Sequence, residues 1–310
     1  MTSPLNVCEY NSDVFKEVER FFDSLFKQKT VDACWHPRRF EYARYLVKPL
    51  FEKRGITDWE DHVSLWRDDD GKLVGVALSE AADFNSFFFT SSEYRYALLK
   101  QMLEWAMETN YCLENGRKKM TCWADQEDNM LIMLLKEYGF DKDIGQEYLL
   151  VGDLNQYTQS LATSHYRLRT LVDPNLYESR MECVASAFQD RSHYDLLSSY
   201  KITENAPNYR QDLDFCLVDP LYPNTVIAAC TGWQNHTDNS VYLEPFAVAP
   251  QYQGQGVGTI FLRFVMTALK YQGFRDVYVG AYGDGLKYFY CQAGFSHFRT
   301  LNHYSQSNLV

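Results

Sequence analysis

The sequence contains no C-x-x-C pair and no His–Cys cluster at zinc spacing, although it has eight cysteines scattered from Cys8 to Cys291. That argues against a zinc ribbon, and scattered cysteines in a chain of this size fit reduced, mostly buried thiols. Basic charge is scarce: 30 Lys and Arg against 41 Asp and Glu give a formal charge of −11. Nucleic acid and anionic membrane are poor main partners for such a chain, because phosphate contacts need clustered cations. No apolar run is long enough to span a bilayer, and Met1-Thr2-Ser3-Pro4-Leu5-Asn6 lacks the basic and apolar regions of a signal peptide. A cytoplasmic protein is expected. What the chain has in quantity is aromatics, 23 Tyr and 20 Phe in 310 residues, enough to build real cores in two domains.

The most informative stretch runs from Val241 to Thr259. It predicts a strand ending at Val248, a glycine-rich turn at Gly254, Gly256 and Gly258, and a helix beginning near Val257. Ile260, Phe261, Phe264, Val265, Ala268 and Leu269 form one apolar face of that helix. Alternate glycines let the backbone approach a ligand, and free N–H groups at a helix N-terminus suit an anion such as a pyrophosphate. The spacing is not the G-x-G-x-x-G of dinucleotide sites, nor is there a Gly-Lys-Ser/Thr ending.

Gln253-x-x-Gly256-x-Gly258 after a strand and a proline resembles motif A of the GNAT family of acetyl-CoA-dependent N-acetyltransferases. The ending Phe289-Tyr290-x-x-x-Gly294-Phe295 resembles the last helix and turn of the same domains. The resemblance implies an α/β fold, a twisted mixed sheet flanked by helices. It also implies two neighbouring parallel strands that splay apart, here Val241–Val248 and Asp276–Tyr282, to admit the pantetheine arm of coenzyme A. Cofactor contacts would come from Phe246, Ala247 and Val248 through the main chain, from Gln253, Gly254, Gln255, Gly256, Val257, Gly258 and Thr259 at the diphosphate, and from Asp284, where many relatives carry Asn. Glu244 would be the general base and Tyr290 the proton donor to the departing thiolate. Neither role needs a metal. His236 and His297 read as surface or packing residues, and a covalent route through Cys291 is not favoured.

The element order occurs twice. Gly139-Phe140 and Gly294-Phe295 close matching helices at an offset of 155 residues, and Leu73–Val76 matches Thr225–Ala228. The domains expected are residues 1–152, GNAT-like but degenerate, and 165–310, catalytic. In the first, Thr90-Ser91-Ser92-Glu93-Tyr94-Arg95 replaces the glycine loop and Leu135 stands opposite Tyr290. Asp68-Asp69-Asp70-Gly71 reads as a hairpin turn rather than a calcium loop. Trp35, Phe40, Tyr42 and Tyr45 read as core. The function expected is acetyl transfer from acetyl-CoA to a primary amine of a small acceptor. The alternatives are a non-catalytic acetyl-CoA-sensing or assembly module, a transferase for another acyl-CoA, and a thiol-cofactor acetyltransferase like the tandem enzyme mycothiol synthase. Homo-oligomerisation is left open.

Overall fold

The computed structural model describes residues 6–52, 59–81, 85–158, 164–188 and 199–309. From sequence, residues 195–209 read as mostly loop or short helix; the first four of them, 195–198, lie outside the described residues. The chain divides into two compact units, Met1–Ala43 with Phe51–Tyr148 and Arg299–Val310, and Arg44–Leu50 with Leu149–Phe298. The sequence placed the second domain at 165–310; in the structure residues 299–309 belong to the first unit.

The first unit orders its sheet β1 (Asn6–Glu9), β2 (Val63–Arg67), β3 (Leu73–Leu78), β4 (Asn85–Thr90), β6 (Arg117–Asp125), β13 (Ser296–Leu309), β7 (Asp141–Asp153). The short β5 (Cys112–Glu114) pairs with β6. From sequence, Val14, Phe15, Val18, Phe21, Phe22, Leu25 and Phe26 predict a helix in the first ~30 residues and nothing predicts β1, whose four residues are too few to show a period of two. The expected helix is α1 (Phe15–Gln28), whose Phe15, Val18, Phe21, Phe22, Leu25 and Phe26 are buried at helical spacing. It is followed by the short α2 (Arg38–Tyr42) and α3 (Lys48–Glu52).

The core of this unit is aromatic. Phe22 packs on Trp35, Phe40 and Phe89 at centroid distances of 4.8 to 5.5 Å. Each such buried ring contributes roughly 1.5–3 kcal/mol by leaving water. Trp35, Phe40 and Tyr42 are therefore core residues, as the sequence suggested; Tyr45 is only half-buried, and its carbonyl accepts a bond from Thr203 within the second unit. The Asp68 turn closes the β2–β3 hairpin, with the Asp68 carboxylate accepting the N–H groups of Asp70 and Lys72. Helices α4 (Arg95–Thr109) and α5 (Asn129–Glu137) follow, the second ending at Gly139 with φ +78°.

The second unit orders its sheet β7, β12 (Asp276–Tyr282), β11 (Ser240–Val248), β10 (Tyr222–Asn235), β9 (Asp214–Asp219), β8 (Arg167–Thr170). All neighbours from β8 to β11 are antiparallel, and β11 and β12 are parallel. Helix α6 (Tyr177–Ala187) precedes β9, α7 (Val257–Tyr271) joins β11 to β12, and α8 (Gly283–Gln292) follows β12. The face that α7 buries is rotated from expectation: Leu262 and Met266 are buried, while Ile260, Phe264 and Ala268 are half-exposed. No helix among the described residues is long and apolar enough to cross a membrane.

Candidate active site

In the second unit, β11 and β12 pair from Ser240–Asp276 to Leu243–Val279 and no further. Past that point Glu244–Val248 and Gly280–Tyr282 have no strand partner in each other. A bulge sits at the parting: β11 carries Glu244 and Pro245 where β10 carries only Thr231. The Glu244–Pro245 peptide is cis. Proline has no N–H for a ladder, which is why the sequence tolerates it at this point.

Beyond the bulge, Ala249 N–H donates to Ile227 C=O. With Ala228 opposite Val248 and Cys230 opposite Phe246, this bond fixes the antiparallel phase. Ala247 turns its polar groups to β10, whereas Phe246 and Val248 turn theirs to the parted side. Of the three residues expected to bond a ligand through the main chain, Ala247 thus lines the opening without offering an amide. The Val248 carbonyl is taken by the Gln253 side chain (2.8 Å), so the amides of Phe246 and Val248 and the Phe246 carbonyl are the groups aimed into the gap.

The opening is a cleft of about 640 Å³. One end is the glycine turn. Gly254 and Gly256 have φ of +71° and +79°, and a Cβ on either would meet no protein atom within 4 Å, only open space. Gly256 caps α7 without a side chain, and the first helical bond is from Ile260 N to Gly256 O. The N–H groups of Val257, Gly258 and Thr259 therefore precede the hydrogen-bonded part of the helix, at its positive end. That cradle fits a diphosphate, and the gap beside it fits an extended chain with amide groups. The residues present therefore suit coenzyme A.

Gly254, Gly256, Gly258, Thr259 and Gln253 line the cleft, as do Glu244, Phe246, Val248 and Tyr290. Three expected contacts put no side chain into it. The Val257 side chain is buried beneath the turn, which leaves that residue only its N–H at the helix end, the Gln255 side chain folds back to Gln251 C=O (2.7 Å), and Asp284 is exposed in the first turn of α8. The structure adds Leu243, Gly280, Tyr282, Leu286 and Phe289, and from the end of α6 Ala187 and Phe188. Leu286 and Phe289 fall at i−4 and i−1 of Tyr290, so helical spacing from that residue identifies Leu286. Nothing local marks Ala187 or Phe188, which are 56 residues or more from Glu244 in sequence.

Tyr290 is 4% exposed, edge-on to Phe246, Phe289 and Phe295. Burial pushes its phenol well above the usual range, and the Glu244 carboxylate adds to the effect. The hydroxyl therefore keeps its proton. Glu244 is half-buried on the bulge, and its carbonyl accepts the Trp233 indole N–H at 2.6 Å. Among the described residues no group of three or more His, Cys, Asp or Glu could hold a metal.

The first unit has the same parting. Strands β4 and β6 are parallel only at Asn85–Thr121 and Ser86–Cys122. Here the segment Val31–Cys34 supplies Asp32, which accepts the Thr90 N–H at 2.9 Å and pairs with Arg95 at 2.6 Å. Arg95, the first residue of α4, also pairs with Asp128. Burial pushes the Asp32 carboxyl up against the pull of Arg95.

Residues 174–295 match the acetyltransferase (GNAT) family model. No curated protein matches the chain. A GCN5-related N-acetyltransferase from Sphaerobacter thermophilus aligns with 99% of this chain and 96% of its own, at 13% identity and TM-score 0.65. A tandem GNAT protein from the clavulanic acid biosynthesis pathway aligns over 98% of each chain, at 12% identity and TM-score 0.65. An acetyltransferase of the family from Colwellia psychrerythraea aligns with 97% of this chain and 99% of its own, at 12% identity and TM-score 0.61. At these identities the likeness to solved structures is one of fold. The second unit carries a domain of the acetyltransferase (GNAT) family, and the chain as a whole has the fold of a tandem GNAT protein.

Proposed function

We propose that this chain is an N-acetyltransferase, active in its second unit, that moves acetyl from acetyl-CoA to a primary amine of a small acceptor. The observation that carries the reading is the coincidence, in one cleft, of parted strands, an open glycine turn at a helix N-terminus, and Tyr290. The amides of Val257, Gly258 and Thr259 would hold the diphosphate, and the main-chain groups of Phe246 and Val248 the pantetheine arm. Bound there, acetyl-CoA supplies an acyl group activated as a thioester.

The chain's own residues do the rest. Glu244 takes the proton of the attacking ammonium, directly or through a water, and leaves a neutral nucleophile. The Phe246 N–H, the first amide after the bulge that faces the gap, donates to the carbonyl oxygen as negative charge develops on it. The Tyr290 hydroxyl donates to the departing sulfur. Because its anion is disfavoured by burial, this phenol holds its own proton firmly and stabilises the sulfur chiefly as a hydrogen-bond donor. Eight cysteines, none of them in a disulfide, fit a reducing compartment such as the cytoplasm.

The test is thiol release from acetyl-CoA across a panel of primary amines, with coenzyme A affinity measured separately by calorimetry. Glu244→Gln should lower kcat about 10²- to 10⁴-fold, the usual share of a general base. Tyr290→Phe should lower it about tenfold or more, with affinity for coenzyme A near wild type in both variants. Folded protein that takes up neither coenzyme A nor acetyl-CoA would overturn the reading, and normal turnover by both variants would overturn the two roles.

A further inference from the structure

The bulge that places Glu244 is an expensive piece of backbone, since it removes two residues of β11 from regular pairing inside a buried sheet. Its carbonyl has left the ladder, and a buried carbonyl without a donor costs about 1–3 kcal/mol. That donor is the indole of Trp233, a fully buried side chain two residues past Thr231 on the facing strand. The ring has little freedom to follow a moving strand, because Tyr209 packs on it at 6.2 Å.

Thr231, the one β10 residue opposite the bulge, is held just as firmly from below. Its hydroxyl accepts from Arg180 at 2.7 Å, lies 2.6 Å from the Tyr200 hydroxyl, and donates to Asp214 at 3.1 Å. Arg180 and Asp214 are paired at 3.1 Å with no solvent exposure on either side chain. An ion pair so deeply buried gives back most of its Coulomb gain as desolvation and is a poor source of stability. What it does supply is a fixed floor under the strand that faces the bulge.

We propose that Trp233 is a positioning residue for the Glu244 base: its indole N–H fixes the Glu244 peptide, so that the carboxylate and the following Phe246 amide are presented to the parted strands together. The inference rests on the acetyltransferase reading above. Without that bond the peptide can turn, and the carboxylate and the amide lose their common aim. A misplacement near 1 Å costs catalysis about 100-fold.

The experiment is a double-mutant cycle with Trp233→Phe and Glu244→Gln, reading thiol release, KM for acetyl-CoA and coenzyme A affinity. Trp233→Phe keeps a buried ring and removes the N–H. It should lower kcat about tenfold or more, leave KM and coenzyme A affinity within about twofold, and have no further effect once Glu244 is Gln. Fully additive losses, or a loss of coenzyme A affinity matching the loss of rate, would overturn the proposal. Unchanged turnover in Glu244→Gln itself would instead overturn the base assignment on which it rests. Should Trp233→Phe not fold, the wild-type protein still decides: the assigned Trp233 indole N–H resonance should be protected from solvent exchange and should shift with the ionisation of Glu244, a shift that vanishes in Glu244→Gln. Rapid exchange, or no response to that ionisation, would defeat the idea.

Discussion

The two units hold the same gap in different states. In the first, β4 and β6 part after Ser86 and Cys122; in the second, β11 and β12 part after Leu243 and Val279. Both gaps open toward the N-terminus of a helix. At α4 the approach is filled from within: the Asp32 carboxylate occupies the Thr90 amide, and the Arg95 guanidinium lies between Asp32 and Asp128. At α7 there are only glycine and backbone, and the space is a cleft. The backbone plan permits an anion site in either unit. Side chains decide whether the protein supplies the anion itself, as it does with Asp32, or leaves the place to a ligand.

If that difference is real, breaking the filled gap should cost stability without creating a site. Asp32→Ala leaves Arg95 with one carboxylate instead of two and the Thr90 amide without its acceptor. A loss of about 3 kcal/mol is expected in chemical denaturation. Calorimetry should still give one coenzyme A per chain; a stoichiometry of two would erase the contrast between the units. In the open gap the opposite substitution matters. Gly256→Val forces a β-branched residue to φ +79° and puts carbon where the diphosphate would lie, so coenzyme A affinity should fall about 100-fold, from strain of roughly 1–2 kcal/mol and lost contact together. Binding within a few-fold of wild type would show that the turn is not the anion site.

The smallest effect belongs to Asp125, at the end of β6. Burial raises its carboxyl to about 6, with Arg299 pulling the other way. The folded state therefore keeps a proton that the unfolded chain has lost between about pH 4 and pH 6. This contribution is fully present below pH 4 and is lost as pH rises through 6. The difference in unfolding free energy between wild type and Asp125→Asn should change by on the order of 2 kcal/mol from pH 4 to pH 7, in the sense of a relatively weaker wild type at pH 7. A pH-independent difference would mean that the carboxyl titrates normally.

The sequence made the second unit's site legible because its parts are local. Gly254, Gly256 and Gly258 are two residues apart, Glu244 lies on the adjoining strand, and the Phe289-Tyr290 pair is set off from Gly294 by helical spacing. What it hid is whatever depends on pairing across the sheet. That Phe246 rather than Ala247 turns its amide to the gap follows from Ala249 bonding Ile227, a relation between strands that no window of sequence contains. The exposed place of Asp284 and the folded-back side chain of Gln255 are local, but they turn on a side chain's choice of direction, which residue identity alone does not fix. In the first unit the replacement of the glycine loop is plain from Thr90–Arg95, but the plug is not, since Asp32 is 58 residues from the Thr90 it caps.

One feature of the first unit bears on how the protein is made. Strand β13 lies between β6 and β7, pairing Leu301–Leu309 with Asp125–Lys118. An interior strand of the first unit is thus translated some 170 residues after its neighbour β6. The first unit cannot close its sheet until β13 has been made, and β6 keeps a raw edge while the second unit is translated. Of the two units, the one begun first is the one that a chaperone would have to guard longest.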